Sequence, residues 1–300
     1  MFTRILIPLD GSKTAEKVLP YARFLARNLK LPVELLAVVD IVEIATHISA
    51  DRARYLDTMI EDSVRNSEQY LRGIARTFPS GTKCTVEKGK AEQIIIETAA
   101  ADKGTLVTMA THGRSGMNRW LLGSVAEKVL RGGTNPMLLV RATEEGKTDG
   151  GATLKSIVVP LDGSELAESV LPTVAELAKT LKLEVVLFRA YSIPYSAYSS
   201  AEGYYAVDYE ELLKAMREEA VDYLEKKTEA VKKLGIDKVS CVAKEGFAAD
   251  EIISLSRKSP DNLIAMCTHG RSGVKRWVLG SVTETVVRHS ADPVLVIRAS

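Results

Sequence analysis

Two stretches of this chain carry residue types and spacings suited to holding an anion. From His112 the sequence passes Gly113, Arg114 and Gly116 and ends in Gly123-Ser124-Val125. From His269 it passes Gly270, Arg271 and Gly273 and ends in Gly280-Ser281-Val282. Glycine permits positive φ and a close approach of backbone to ligand, so successive amides can point into one concavity. A helix starting at the serine would add unpaired N–H groups and the positive end of its dipole, which favour phosphate. The serine hydroxyl can cap that helix or donate to a phosphate oxygen. The interleaved Arg114, Arg119 and Lys275 read either as phosphate clamps or as solvated loop charges. The spacing matches neither G-x-x-x-x-G-K-[ST] nor G-x-G-x-x-G. One such loop could be a tight turn with a helix cap, but its recurrence favours ligand binding.

A second repeated element lies upstream. Ile5–Ser12 reads ILIPLDGS and Ile157–Ser164 reads IVVPLDGS, so Asp10 and Asp162 each follow a short apolar run. The offsets between the two pairs of repeats, 152 and 157 residues, show two copies of one unit. A unit of roughly 140 residues closes its own core, which a solenoid repeat cannot. We therefore expect domains over residues 1–144 and 155–300 joined by a linker, 145–154, rich in Gly, Thr and acidic residues.

The elements that must position these motifs alternate regularly. Apolar runs at Ile5–Leu9, Val33–Val39, Cys84–Glu87, Leu106–Ala110 and Met137–Val140 read as strands, and their counterparts begin at Ile157, Val185, Val239, Leu263 and Val294. Between them run helical patterns, including long amphipathic ones over about Asp51–Thr77 and Tyr209–Leu234. Ser12 and Ser164 are placed to cap the first helix of each copy. This order predicts an α/β fold: two tandem doubly wound parallel sheets of five strands, with ligands beyond the carboxyl ends of the strands, where both motifs fall.

Composition excludes several classes. The 300 residues are 46% hydrophobic and 26% charged with a net charge of +1, which gives no footprint for nucleic-acid or membrane-surface binding. No leader or membrane-spanning stretch is evident, so a cytoplasmic protein is expected. The odd count of three cysteines argues against a disulfide framework, and Cys84 and Cys241 sit in matching strand-like stretches. His47, His112, His269 and His289 join no zinc-like spacing, and no nucleophile elbow or kinase signature is visible. The Tyr-rich stretch 191–209 reads as a packed loop or as a lid or partner surface.

The paired Pro-Leu-Asp-Gly-Ser starts, the Thr-His-Gly loops ending in Gly-Ser and the closing Pro-x-Leu-x-Val strands resemble the universal stress protein family in its tandem form. The resemblance implies strand order 3-2-1-4-5 in a Rossmann-like sheet, with last strands meeting between tandem domains, as an intramolecular pseudo-dimer, or across a homodimer. It also implies a site for ATP, ADP or AMP, with Mg2+ accompanying a triphosphate. By resemblance, adenine and ribose lie near Pro8, Leu9, Asp10, Val38, Met109 and Ala110, with phosphates near Gly113, Gly123, Ser124 and Val125. In the second copy the corresponding residues are Pro160, Leu161, Asp162, Ala190, Met266 and Cys267, then Gly270, Gly280, Ser281 and Val282. The sequence departs from the family pattern where its first glycine is Ala110 or Cys267. A β-carbon there, and the change from Val38 to Ala190, lead us to expect tighter binding in the first copy. The reading is a nucleotide-biased regulatory protein of the stress response; a slow ATPase and a nucleotide-free scaffold are the alternatives.

Overall fold

The computed structural model describes residues 1–46, 54–111, 122–141, 151–193, 209–258, 261–268 and 279–298. They form two compact units: Met1–Thr153 together with Pro293–Arg298, and the remainder from Leu154 to Asp292.

In the first unit, β1 (Arg4–Pro8) leads through a 3-10 turn (Ala15–Val18) into α1 (Leu19–Leu29). Then follow β2 (Val33–Val39), α2 (Ile41–Thr46), α3 (Leu56–Ala75), β3 (Lys83–Lys88), α4 (Ala91–Ala100), β4 (Thr105–Ala110), α5 (Ser124–Gly132) and β5 (Met137–Val140). The strands lie in the order β3-β2-β1-β4-β5, all parallel, with Ile5 beside Val33 and Leu6 beside Val107. Their apolar runs are the cause: Ile5, Leu6, Ile7, Leu35, Leu36 and Leu106 are fully buried, as strands covered on both faces require. α1 carries Pro20 in its first turn and stops at Lys30, which takes a left-handed conformation and donates its N–H to Ala26 O.

The second unit repeats this plan with β6 (Ser156–Pro160), α6 (Glu165–Glu168), α7 (Leu171–Leu181), β7 (Glu184–Tyr191), α8 (Tyr209–Lys233), β8 (Val239–Glu245), α9 (Ala248–Lys258), β9 (Asn262–Cys267) and α10 (Ser281–His289). The order β8-β7-β6-β9 is again wholly parallel. The closing strand, β10 (Val294–Ile297), groups with the first unit, where it runs antiparallel to β5 with Val294 beside Leu139. Arg298, just beyond it, donates to Leu130 O and Arg131 O near the carboxyl end of α5, a favourable place for a cation.

The strands fall within a residue or two of the sequence reading. Two local differences have physical reasons. α2 is a short helix that the β-branched stretch Ile41-Val42 conceals, and it is started by Asp40, whose carboxylate accepts from the backbone N–H groups of Val42 and Glu43. α3 begins at Leu56 rather than near Asp51. The linker residues 145–150 and most of the Tyr-rich stretch lie outside the described residues.

At the amino-terminal end of the first sheet sits a buried carboxylate. Glu34 receives a salt bridge from Arg4 on the neighbouring strand and accepts from Lys83 Nζ and Thr85 Oγ1, each at 2.8 Å. Burial alone would raise its pKa, but the hydrogen bonds from Lys83 and Thr85 and the charges of Lys83 and Arg4 outweigh it and hold the carboxyl below its usual range. The stabilisation is therefore complete above the ordinary value of 4.5 and is lost as pH falls through the lowered folded value. Glu34→Gln should cost about 2 kcal/mol at pH 7 and much less in acid, which urea denaturation at the two pH values would measure.

Candidate functional site

Both aspartates are fixed by the same local device. Gly11 and Gly163 adopt φ of 80° and 88°, conformations that L side chains rarely adopt, and so turn the chain sharply at the end of β1 or β6. In the resulting turn Asp10 Oδ1 accepts from Ser12 N at 2.9 Å and Ser12 Oγ at 2.6 Å, and Asp162 Oδ1 accepts identically from Ser164. The serine oxygens in turn accept from Ala15 N and Ala167 N. Ser164 thereby caps α6, whereas the 3-10 turn before α1 has Thr14 at its N-cap and Ser12 Oγ only accepts from its first residue, Ala15. The sequence thus builds a carboxylate held at the mouth of each sheet by its own backbone.

In the second unit the predicted residues converge on one cavity of about 290 Å3. Pro160, Leu161 and Asp162 come from the end of β6, Ala190 from β7, Met266 and Cys267 from the end of β9, and Gly280, Ser281 and Val282 from the start of α10. The volume is close to the lower end of the roughly 300–1,000 Å3 typical of small-molecule pockets. Ala167, Phe188, Ala248, Ile252 and Thr283 complete its lining and were missed by the sequence reading. Phe188 lies two residues before Ala190, on the same face of β7, and Ile252 lies four after Ala248, on the same face of α9; strand and helix periodicity could have found both.

One end of the cavity is polar. Gly280 is the N-cap of α10 and has extended backbone angles, so Ser281 is the first helical residue and not the cap. Gly280 provides no side-chain cap, and the first turn of α10, with the positive end of the helix, lies at the cavity. Gly280 N donates to Thr268 O at 2.9 Å, and Thr283 Oγ1 donates to Cys267 O at 2.9 Å, tying the helix start to the end of β9. Cys267 is buried, and its Sγ accepts from Ser169 Oγ at 3.6 Å.

The opposite wall is braced from behind. Tyr223 on α8 donates to Glu168 Oε1 at 2.8 Å, and Lys227 pairs with Glu168 Oε2 at 2.6 Å, so α6 and the turn before it are fastened to the long helix. Burial and the Glu168 carboxylate push the Tyr223 phenol well above its ordinary pKa and keep it a donor. Arg189, nearly buried on β7, stacks 4.7 Å over the Tyr223 ring and pairs with Glu219 at 2.8 Å.

The first unit places its counterparts at the same ends of the same strands. Pro8, Leu9, Met109 and Ala110 are buried, Asp10, Val38, Gly123 and Val125 are half-buried, and Ser124 is exposed. Gly123 caps α5 and donates to Thr111 O, again leaving the serine as the first helical residue. Tyr70 donates to Glu16 at 3.3 Å, the counterpart of the Tyr223 contact. His112, Gly113, Arg114, Gly116, His269, Gly270, Arg271 and Gly273 lie outside the described residues. Among the described residues no group of three or more His, Cys, Asp or Glu is placed to hold a metal, and no helix is long and apolar enough to cross a membrane.

A test of the turn follows from its hydrogen bonds. Ser164→Ala removes both the cap of α6 and a donor to Asp162; it should lower stability by about 1 kcal/mol, measured by chemical denaturation, with Ser164→Asn recovering part of the loss.

With this geometry in hand, comparison with known proteins is informative. The model of the universal stress protein family matches residues 1–141 and again 153–298. A universal stress protein of Methanocaldococcus jannaschii is 30% identical over 150 residues, covering 50% of this chain and 85% of the relative. One from Bacillus subtilis is 28% identical over 145 residues, covering 47% of this chain and 97% of its own. Among solved structures, a universal stress protein from Archaeoglobus fulgidus superposes with a TM-score of 0.71 at 21% identity, covering 99% of both chains, a likeness of fold.

Proposed function

Since the chain belongs to the universal stress protein family, with two such domains in tandem, we propose that it binds an adenine nucleotide at the mouth of each sheet and responds to stress through nucleotide-biased conformation or assembly. The observation that carries this reading is the second unit's cavity. It combines an apolar slot, a carboxylate and a helix start with no side-chain cap in one space.

Each part suits one portion of the ligand. Phe188, Ala190 and Ile252 offer a flat apolar surface for a purine. Asp162, held by Gly163 and Ser164, can accept from the exocyclic amine or a ribose hydroxyl. The amides at the start of α10 can donate to phosphate oxygens, with the helix dipole favouring the anion. Mg2+ would enter on the phosphates of a triphosphate, keeping most of its waters, since no acidic cluster among the described residues would compete for it. In this reading occupancy rather than turnover is the signal. In the first copy the same parts would be supplied by Pro8, Leu9, Asp10, Val38, Met109, Ala110, Gly123, Ser124 and Val125. Ala110, smaller than Cys267, would make that site the tighter of the two.

Denaturing the purified protein and identifying the released small molecules should yield an adenine nucleotide. Added ATP should raise the melting temperature, by the equivalent of about 2.7 kcal/mol at one hundred times Kd. Gly280→Asp separates binding from folding: aspartate is a good N-cap for α10, so stability should hold or rise, while its charge should weaken nucleotide binding at the second site roughly tenfold. Cys267→Ala should bring the two affinities measured by titration of the whole chain closer together. Absence of bound nucleotide together with no thermal shift for ATP, ADP or AMP would refute the reading.

A further inference from the structure

The long helices α3 and α8 occupy the same place in their units: the half-buried Tyr70 and buried Leu71 correspond to Tyr223 and Leu224, with both tyrosines donating to matching glutamates. This fixes the correspondence of every other position. On the outer face of α3 an exposed stripe runs through Glu61, Arg65, Gln69, Arg72 and Arg76, spaced by four and three residues so that all lie on one side of the helix. The corresponding stripe of α8 is Lys214, Glu218, Asp222, Glu225 and Glu229, also exposed throughout. The charge is inverted at each of the four positions where α3 carries one, and the neutral fifth is matched by an aspartate.

Among the described residues neither stripe pairs beyond its own helix. Arg65 meets Asp62 at 3.9 Å, Arg72 meets Glu68 at 3.4 Å and Glu229 meets Lys232 at 2.9 Å, all in exposed pairs that contribute little. Arg76, Glu218, Asp222 and Glu225 form no ion pair among the described residues. Beside the α3 stripe lies the exposed Gly73, where a β-carbon would meet nothing within 4 Å.

We propose that α3 of one chain docks on α8 of a second copy, with the two helices parallel. The inference stands apart from nucleotide binding. The direction follows from the ends of the stripes. In a parallel register Glu61 faces Lys214, Arg65 faces Glu218, Arg72 faces Glu225 and Arg76 faces Glu229, and the longer side chain of Lys226 comes opposite the gap at Gly73. An antiparallel register would oppose Glu61 to Glu229 and Arg76 to Lys214, two like-charge contacts. The stripes span about 22 Å of helix, and their attraction is screened by salt. Because the contact joins two different faces, each copy brings one of each.

Sedimentation equilibrium of the full chain tests this. The weight-average mass should exceed 32.7 kDa at low ionic strength and fall toward it at ~0.5 M salt, where the Debye length is only a few ångströms. Arg72→Glu should raise the dissociation constant at least about tenfold, and Arg72→Glu combined with Glu225→Arg should restore association. Every altered side chain is exposed, so unchanged melting temperatures will show that folding is intact. Glu61→Lys decides the direction: weaker association that Lys214→Glu repairs supports the parallel contact, whereas stronger association overturns it. A salt-independent mass, or an Arg72→Glu variant that associates like the parent, would overturn the contact itself.

Discussion

Strands buried on both faces leave polar chemistry only one place to go. Ile5, Leu6 and Ile7 in β1, and Ile157 and Val159 in β6, are wholly buried, and an unpaired charge among them would cost several kcal/mol. The aspartate must therefore wait until the strand ends, and it needs partners there at once. The Asp-Gly-Ser turn supplies them within two residues, using the left-handed glycine to fold the serine back onto the carboxylate. Across the mouth, Gly123 and Gly280 donate to the carbonyls of Thr111 and Thr268. That bond sets where the next helix starts, and in the second unit the helix start and Asp162 line one cavity.

The two copies then diverge in how that opening is finished. At the slot, Leu36 and Val38 in the first copy become Phe188 and Ala190 in the second, which shifts side-chain volume along the strand while preserving apolar character. At the helix start Ala126 becomes Thr283, whose hydroxyl fastens α10 to β9. Behind the turn, Ile74 becomes Lys227 and Ala37 becomes Arg189. The single Tyr70 contact thus grows into a cluster in which Tyr223, Lys227 and Glu168 hold α6. The second site is the more heavily braced and the first carries the smaller residue at the strand end. Those features act on different quantities: bracing limits motion, and under the proposed function the size of Ala110 or Cys267 would set how near the ligand comes.

Much of this was legible because the repeat reads each local signal twice. Short apolar runs ending in Asp-Gly-Ser located β1 and β6, and glycine-serine pairs located the starts of α5 and α10. Alternation of strands and helices made the parallel direction legible, whereas the order 3-2-1-4 of both units, with the fifth strand in the first, is the one the family resemblance implied. Less legible was whatever depends on packing between elements distant in sequence. Phe188 and Ile252 line the cavity because β7 and α9 meet there, and Thr283 reaches Cys267 across sixteen residues. The short helix α2 was hidden because its residues favour strands while Asp40 supplies the cap that overrides them. The grouping of β10 with the first unit, where Arg298 meets the end of α5, is likewise a matter of tertiary contact.

The outer faces of α3 and α8 show a different consequence of having two copies. Two faithful copies of one helix would present like charges, and contact between them would be repelled. The buried side of each helix cannot drift far, because Leu71 and Leu224 fill equivalent sites in their cores. The solvent side meets no such constraint, so random divergence would mix residue types without sign correlation. Inversion at every charged position of one stripe, while Tyr and Leu on the inner side remain the same, is what complementarity between copies would produce. A tandem protein can encode both halves of an interface in one chain, and the charge pattern then sets direction as well as partner, since only one orientation pairs the ends.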